Sequence, residues 1–180
     1  DSFFGSGFFS ATTGFTTADF TGWTEFITIL FFILMFIGAS AGSTSGGIKL
    51  VRHVVLLKNS YIELKKQLHQ SGVFTLKFNN RKVPNDVVSN ILAFMMLYVV
   101  IFSIGSIIMS FIGVDFMTAI GSVAATLGNV GPGIGEVGPS YTFSSIPVSG
   151  KWFLSLLMFI GRMELFTFLI IITPIFWRGN

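Results

Sequence analysis

Phe116-Met-Thr-Ala-Ile-Gly-Ser-Val-Ala-Ala-Thr-Leu127, followed at once by Gly128-Asn-Val-Gly-Pro-Gly-Ile-Gly135, decides the fold. The first part is an apolar, helix-compatible run of 12 residues, about 18 Å long, which reaches only half-way through a bilayer's hydrocarbon core. The second part carries four glycines and a proline and cannot continue as helix. Non-helical backbone at membrane depth persists only where protein buries it or where it lines a water-filled cavity. A half-length helix running into a glycine-rich extended strand therefore reads as a re-entrant loop.

The rest of the chain supplies the membrane. Of its 180 residues, 52% are hydrophobic, 16% aromatic and 11% charged, with a mean hydropathy of +0.78; soluble domains carry about 25% charged residues. An ordinary cytosolic enzyme, a disordered segment and a nucleic-acid-binding domain are excluded as first readings. With no cysteine, disulfides, thiolate metal sites and cysteine nucleophiles are excluded too. Phe26–Ile48 and Val87–Val114 are uncharged runs of 23 and 28 residues, each longer than the roughly 20 that a span needs. A third apolar run, Trp152–Trp177, is broken only by Arg162 and Glu164. The chain opens on Asp1 without the pattern of a signal peptide, and it is expected to be a piece of a longer membrane protein.

Eight of the 11 basic residues lie between Lys49 and Lys82, where Glu63 is the sole acid, so that segment carries +7 and the remainder −4. Loops rich in Lys and Arg stay in the cytoplasm, which orients the chain with 49–86 inside. The outer side then holds Asp1, Asp19, Glu25, Asp115 and Glu136, a face that concentrates cations. Topology, lipid headgroups or a cytosolic partner explain the basic block better than nucleic acid does.

The start of the chain repeats the plan of the deciding stretch. Ser2–Ala11 is short and apolar, and a small polar run, Thr12–Thr17, comes after it. Thr12-Thr13-Gly14-Phe15 aligns with Asn129-Val130-Gly131-Pro132, and Met35-Phe36-Ile37-Gly38 recurs as Met158-Phe159-Ile160-Gly161. The order is thus pore helix, filter-like strand, inner span, basic segment, outer span, pore helix, filter-like strand, inner span. Selectivity filters are built from backbone carbonyls that replace an ion's hydration shell, and Gly14 and Gly131 have the freedom to aim them. Tight outer turns with close helix packing are the alternative for these glycines.

Gly38–Gly47 reads GASAGSTSGG, a poor helix interior where the first inner span should still be in the membrane. It is either a flexible break able to block or clear a pathway, or a close-packing motif of the small-xxx-small kind. The alignment puts Gly38 level with Gly161, next to Arg162. A charge at mid-bilayer faces a cavity, a partner or the bundle interior. Facing the pathway, Arg162 would repel a cation about 10 Å away by roughly 1.7 kcal/mol at an effective dielectric near 20. The alternative is a partner helix elsewhere in the protein.

Other motifs lack their context. Gly133-Ile-Gly-Glu-Val-Gly138 matches a dinucleotide fingerprint, but Pro139 comes next instead of a helix start. GSTSGGIK (Gly42–Lys49) resembles a phosphate loop with Ile48 in the lysine's place. His53 and His69 belong to no metal-ligand pattern, and no arrangement supports nucleophilic or acid-base catalysis, so no enzyme activity is expected.

ATTGFTT (Ala11–Thr17), GASAGSTSGGIK (Gly38–Lys49), LGNVGPGIGEV (Leu127–Val137) and GRMELFT (Gly161–Thr167) together resemble the bacterial Trk-type potassium uptake transporters of the Trk/Ktr/HKT superfamily, over essentially the whole chain. The sequence departs from the family at Gly128, where a polar residue is expected. The resemblance implies an all-α membrane protein of four span, pore-loop, span repeats around one pore, of which this chain holds about one and a half. Residues 1–48 would be the pore helix, filter and interrupted inner span of the third repeat, and 49–86 the cytoplasmic segment. Residues 87–180 would be the fourth repeat: outer span 87–114, pore helix 115–127, filter 128–133, outer loop 134–150 and inner span 151–177. It implies further that Thr12, Thr13, Gly14, Phe15, Asn129, Val130 and Gly131 form filter strands binding potassium through carbonyls. Gly38, Gly42, Ser43, Thr44, Ser45, Gly46 and Gly47 would belong to an intramembrane gating loop, and Arg162 would face the pore beneath the filter. The implied setting is the bacterial inner membrane, as a homodimer with a cytosolic nucleotide-binding regulatory ring, without covalent cofactor. A sodium-permeable relative and a non-transporting membrane interaction subunit are the competing readings.

Overall fold

The computed structural model describes residues 24–38, 46–68, 75–78 and 81–163. In order, the elements are α1 (Glu25–Phe36), β1 (Ile37–Gly38), β2 (Ile48–Lys49), α2 (Leu50–Leu68), β3 (Lys77–Phe78), β4 (Arg81–Lys82), α3 (Asn85–Phe111), α4 (Phe116–Leu127) and α5 (Val148–Arg162). Helix dominates; among the described residues the strands form a parallel β1–β2 pair and an antiparallel β3–β4 pair.

The uncharged run beginning at Val87 becomes α3, a 27-residue helix with a mean hydropathy of 2.6 over its most apolar stretch. Among the described residues it is the helix long and apolar enough to cross a membrane. Only 17% of that stretch is buried. A soluble core helix of such hydropathy would be enclosed, whereas a span leaves this surface to lipid and to neighbouring spans. Pro84, with φ −62°, precedes the helix, and Gly113, with φ +98°, ends it. Two residues later the Asp115 carboxylate accepts a hydrogen bond from the Met117 amide at 3.2 Å and caps α4.

α4 is the hub of the described residues. It packs on α1, α3 and α5 and is buried continuously from Gly121 to Leu127. Small side chains make this close approach possible, and its hydroxyls are satisfied within the helix. Ser122 Oγ donates to the Ala119 carbonyl at 3.0 Å, and Thr126 Oγ1 donates to that of Ser122 at 2.7 Å. Met109 from α3, Val123 and Leu127 from α4, and Leu154 and Leu157 from α5 form the main core. α5 starts at Val148, three residues before Lys151, because Pro147 (φ −55°) sets its first turn. Its extension towards position 177 lies outside the described residues.

α1 stops at Phe36, with Ile37 extended at φ −89°, ψ 97°. Ile37 pairs with Ile48, and Gly38 with Lys49, in parallel register, so the chain resumes beside the end of α1 instead of beyond it. α2 then runs antiparallel to α3. Ile48 packs with Phe94 and Tyr98, the Arg52 guanidinium stacks 4.0 Å from the Phe94 ring centroid, and Val55 packs with Val88. Lys58 lies over Phe78 of the β3–β4 hairpin. Lys49 and Arg52 therefore stand about two to three turns inside α3, with the basic helix leading away from them.

Candidate functional site

The stretch after α4 turns back along the helix it has just left. The Val130 amide donates to the Ala125 carbonyl at 2.9 Å. Further up, Gly133 and Ile134 pass so close to Gly121 that a Cβ on Gly121 would sit 2.6 Å from the Ile134 nitrogen and oxygen. The Glu136 amide donates to Thr118 Oγ1 at 3.1 Å. Rising numbers on this irregular return segment, which ends in a 3-10 turn at Gly135–Val137, meet falling numbers on α4, so that helix and segment form a hairpin about as long as the 12-residue helix. Its tip holds two left-handed residues, Asn129 at φ +54° and Gly131 at φ +113°. Asn is among the few side chains that tolerate the first value, and the second belongs to glycine. Val130 between them is 2% exposed, and Gly131 is exposed. The carbonyl end of the α4 dipole lies at this tip and favours a cation there.

The two Met-Phe-Ile-Gly motifs arrive at the same tip. A Cβ on Gly128 would lie 2.8 Å from the Met35 carbonyl oxygen, so α1 leaves no room for the polar residue expected at that position. On the other side, Asn129 Nδ2 donates to the Met158 carbonyl at 3.1 Å, and a Cβ on Gly161 would run into the Leu127 carbonyl. Gly46, at the far end of the glycine-rich break, completes the junction. Its Cβ would lie 2.8 Å from Asn129 Cβ, Asn129 Nδ2 and the Gly128 oxygen. Arg162 comes directly after Gly161 and is exposed.

Asn129, Val130, Gly131, Gly46, Gly47, Gly38 and Arg162 are therefore described, with Gly46 and Gly161 both against Asn129. Thr12, Thr13, Gly14, Phe15, Gly42, Ser43, Thr44 and Ser45 lie outside the described residues. The side-chain link through Asn129 is what sequence reasoning missed; its signal was a lone carboxamide in a strand otherwise read only for its carbonyls. Among the described residues no group of three or more His, Cys, Asp or Glu side chains is placed to hold a metal ion. At the N-terminal end of α4, Asp115 and Glu136 line one open cavity of about 560 Å³ together with Thr118, Tyr141 and Thr142. Two carboxylates thus share one cavity at this end of the hairpin, and their charge attracts cations.

Comparison with known proteins gives this arrangement its relatives. The family model for TrkH, described as a cation transport protein, matches residues 1–176. The Trk system potassium uptake protein TrkH of Escherichia coli K12 is 39% identical over 169 residues, 94% of this chain and 35% of that protein. TrkI of Halomonas elongata, also named a Trk system potassium uptake protein, is 37% identical over 168 residues, 93% of this chain and 34% of its own. The crystal structure of the potassium transporter TrkH from Vibrio parahaemolyticus superposes with a TM-score of 0.86 at 39% identity, covering 94% of this chain and 36% of that one. The chain spans about a third of the length of the curated relatives it matches.

Proposed function

Because the chain belongs to the TrkH family of cation transport proteins, which are transporters and not enzymes, we propose that it forms part of a subunit taking up potassium across the bacterial inner membrane. The observation that carries this reading is the hairpin of α4 and its irregular return segment, with Asn129 and Gly131 left-handed at the tip. Such a backbone turns successive carbonyls towards one side, and carbonyls replace the water that potassium sheds on entry. Asn129, Val130 and Gly131 are the filter residues of this quarter of the pore; Thr12, Thr13, Gly14 and Phe15 are their counterparts in the preceding quarter. Two further quarters come from the remainder of the subunit, so this stretch alone does not conduct.

Potassium gathers at the acidic mouth of Asp115 and Glu136, passes the carbonyls, and meets the glycine-rich break from Gly38 to Gly47. This break, with Gly42, Ser43, Thr44 and Ser45 at its centre, is the gate. Arg162 stands beside it and slows cations without stopping them. The subunit works as a homodimer under a cytosolic nucleotide-binding ring, and the basic α2, with Leu57, Tyr61, Leu64 and Leu68 exposed, is the surface for that ring or for anionic lipid headgroups.

The test is rescue of a potassium-uptake-deficient bacterium at limiting potassium by the full-length parent, wild type against Gly131→Ser. Rescue by wild type, with loss of uptake or relaxed preference over sodium in the variant, is expected. Sodium uptake by wild type would move the protein to the sodium-permeable branch, no rescue despite membrane expression and a supplied regulator would favour the interaction subunit, and equal rescue by both would remove Gly131 from the filter.

A further inference from the structure

We propose that the Asn129 side chain is a positioning residue that locks the ion-binding turn after α4 to the end of the glycine-rich break, so that movement of the gate is read as a change in ion preference. The inference rests on the pathway reading above and adds a residue role to it.

Three elements meet on one carboxamide. Asn129 sits in the turn itself with φ +54°, a backbone setting that asparagine tolerates and glycine would occupy without a side chain. Its Nδ2 donates to the Met158 carbonyl across 29 positions of sequence, at 3.1 Å. That carbonyl belongs to the last stretch of α5 before Arg162. Against the same Nδ2 and the adjacent Cβ lies Gly46, which has space for a hydrogen and no more, since a Cβ there would come within 2.8 Å of both atoms. The Gly128 carbonyl oxygen is equally close to Gly46. The break therefore touches the turn through a side chain and a backbone oxygen at once.

Close-packed contacts of this kind transmit displacement instead of absorbing it. If Gly46 advances by a few tenths of an ångström, Asn129 must give up its Met158 acceptor or the Gly128 carbonyl must rotate. If Gly46 withdraws, the carboxamide loses the neighbour that holds it in its rotamer. In both cases the carbonyls at the tip follow the gate. Coupling between two sites is reciprocal, so ion occupancy at the tip also biases the position of Gly46.

The experiment uses the full-length parent with its regulator and measures potassium KM, maximal uptake rate and potassium-to-sodium preference for wild type, Gly46→Ala, Asn129→Ala, Asn129→Leu, the Gly46→Ala/Asn129→Ala double variant and Gly131→Ser. Asn129→Leu keeps the branched shape without adding a charge and removes the donated hydrogen bond. Gly46→Ala is expected to lower potassium preference about tenfold, within the usual range of intersite coupling, although it lies outside the turn. Asn129→Ala and Asn129→Leu are expected to do the same, with the double variant's effect smaller than the sum of the two single effects, because both act on the Gly46–Asn129 contact while the contact of Gly46 with the Gly128 oxygen remains. Should Asn129→Ala fail to reach the membrane, Gly46→Ala and Asn129→Leu carry the test. A Gly46→Ala protein with wild-type preference and only a changed maximal rate overturns the lock, and so do effects that add. If Gly131→Ser also leaves preference intact, the filter reading itself fails; if Gly131→Ser alters preference while Gly46→Ala and the Asn129 variants do not, only the lock fails.

Discussion

Met-Phe-Ile-Gly occurs at 35–38 and again at 158–161, and the same four residues have different backbones. In the first copy the helix ends at Phe36, and Ile37–Gly38 is extended; in the second all four are inside α5, which runs on through Arg162. Local preference cannot separate two identical tetrapeptides, so the difference lies in the residues downstream and in the contacts each copy makes. Ala-Ser-Ala-Gly-Ser-Thr-Ser-Gly-Gly after Gly38 offers weak helix formers and side chains that compete for backbone hydrogen bonds. After Gly161 the helix takes in Arg162 and is capped by Met163. Ile37 then gains a partner strand in Ile48, while Gly161 gains the carbonyl end of α4. One copy ends its helix and the other continues it, and both meet the same turn.

The sharpest way to break this comparison is to add one methyl group to each glycine. Gly161→Ala drives a Cβ into the Leu127 carbonyl, a backbone group at the end of a helix that is buried on every side. α5 has to move off α4 to admit it. We expect overpacking of about 1–3 kcal/mol, read as a lowered thermal midpoint of the purified full-length subunit, together with loss of uptake. Gly38→Ala meets the Gly46 oxygen at 2.7 Å, and that oxygen belongs to a loop end. Its stability should fall by less than half as much, and its uptake rate should change more than its midpoint. Equal destabilisation by the two would mean that the break is packed as firmly as α4 and is no gate.

Much of this arrangement was legible because it stems from local composition. The span α3 shows as a run without charge, and α4 with its glycine-rich strand shows as a half-length apolar helix that nothing could prolong. Pro147 carries the true start of α5, a signal outweighed by the charge on Lys151. The β1–β2 pair was not legible. Two residues pairing with two others after a glycine-rich connection have no period to detect, and the pairing depends on Ile48 being held by Phe94 and Tyr98. The hairpin β3–β4 is hidden for the same reason, in a segment read only for its charge. At the site, the repeat indicated which residues share a level; it did not indicate contact. Asn129 reaches Met158, and Gly128 faces Met35, across elements whose approach is set by packing on α4. The departure at Gly128 looked like a mismatch in sequence and becomes a steric requirement beside the Met35 carbonyl.

The smallest expected effect sharpens the comparison from the side of the broken copy. Phe36, the last residue of α1, meets Tyr98 of α3 edge to face, with ring centroids 6.1 Å apart. Tyr98 is 2% exposed, and its hydroxyl has no hydrogen-bond partner among the described residues. A buried hydroxyl without a partner costs about 1–3 kcal/mol, whereas the ring contact with Phe36 depends on the aromatic face alone. Tyr98→Phe keeps the ring and removes the orphaned oxygen. It should leave the thermal midpoint of the full-length subunit unchanged or raised by a few degrees, with uptake unaltered, so that the end of α1 is held by ring packing. A drop in the midpoint would show that the hydroxyl is bonded in the whole subunit, and the helix end at Phe36 would then be fixed by a polar anchor absent from the second copy.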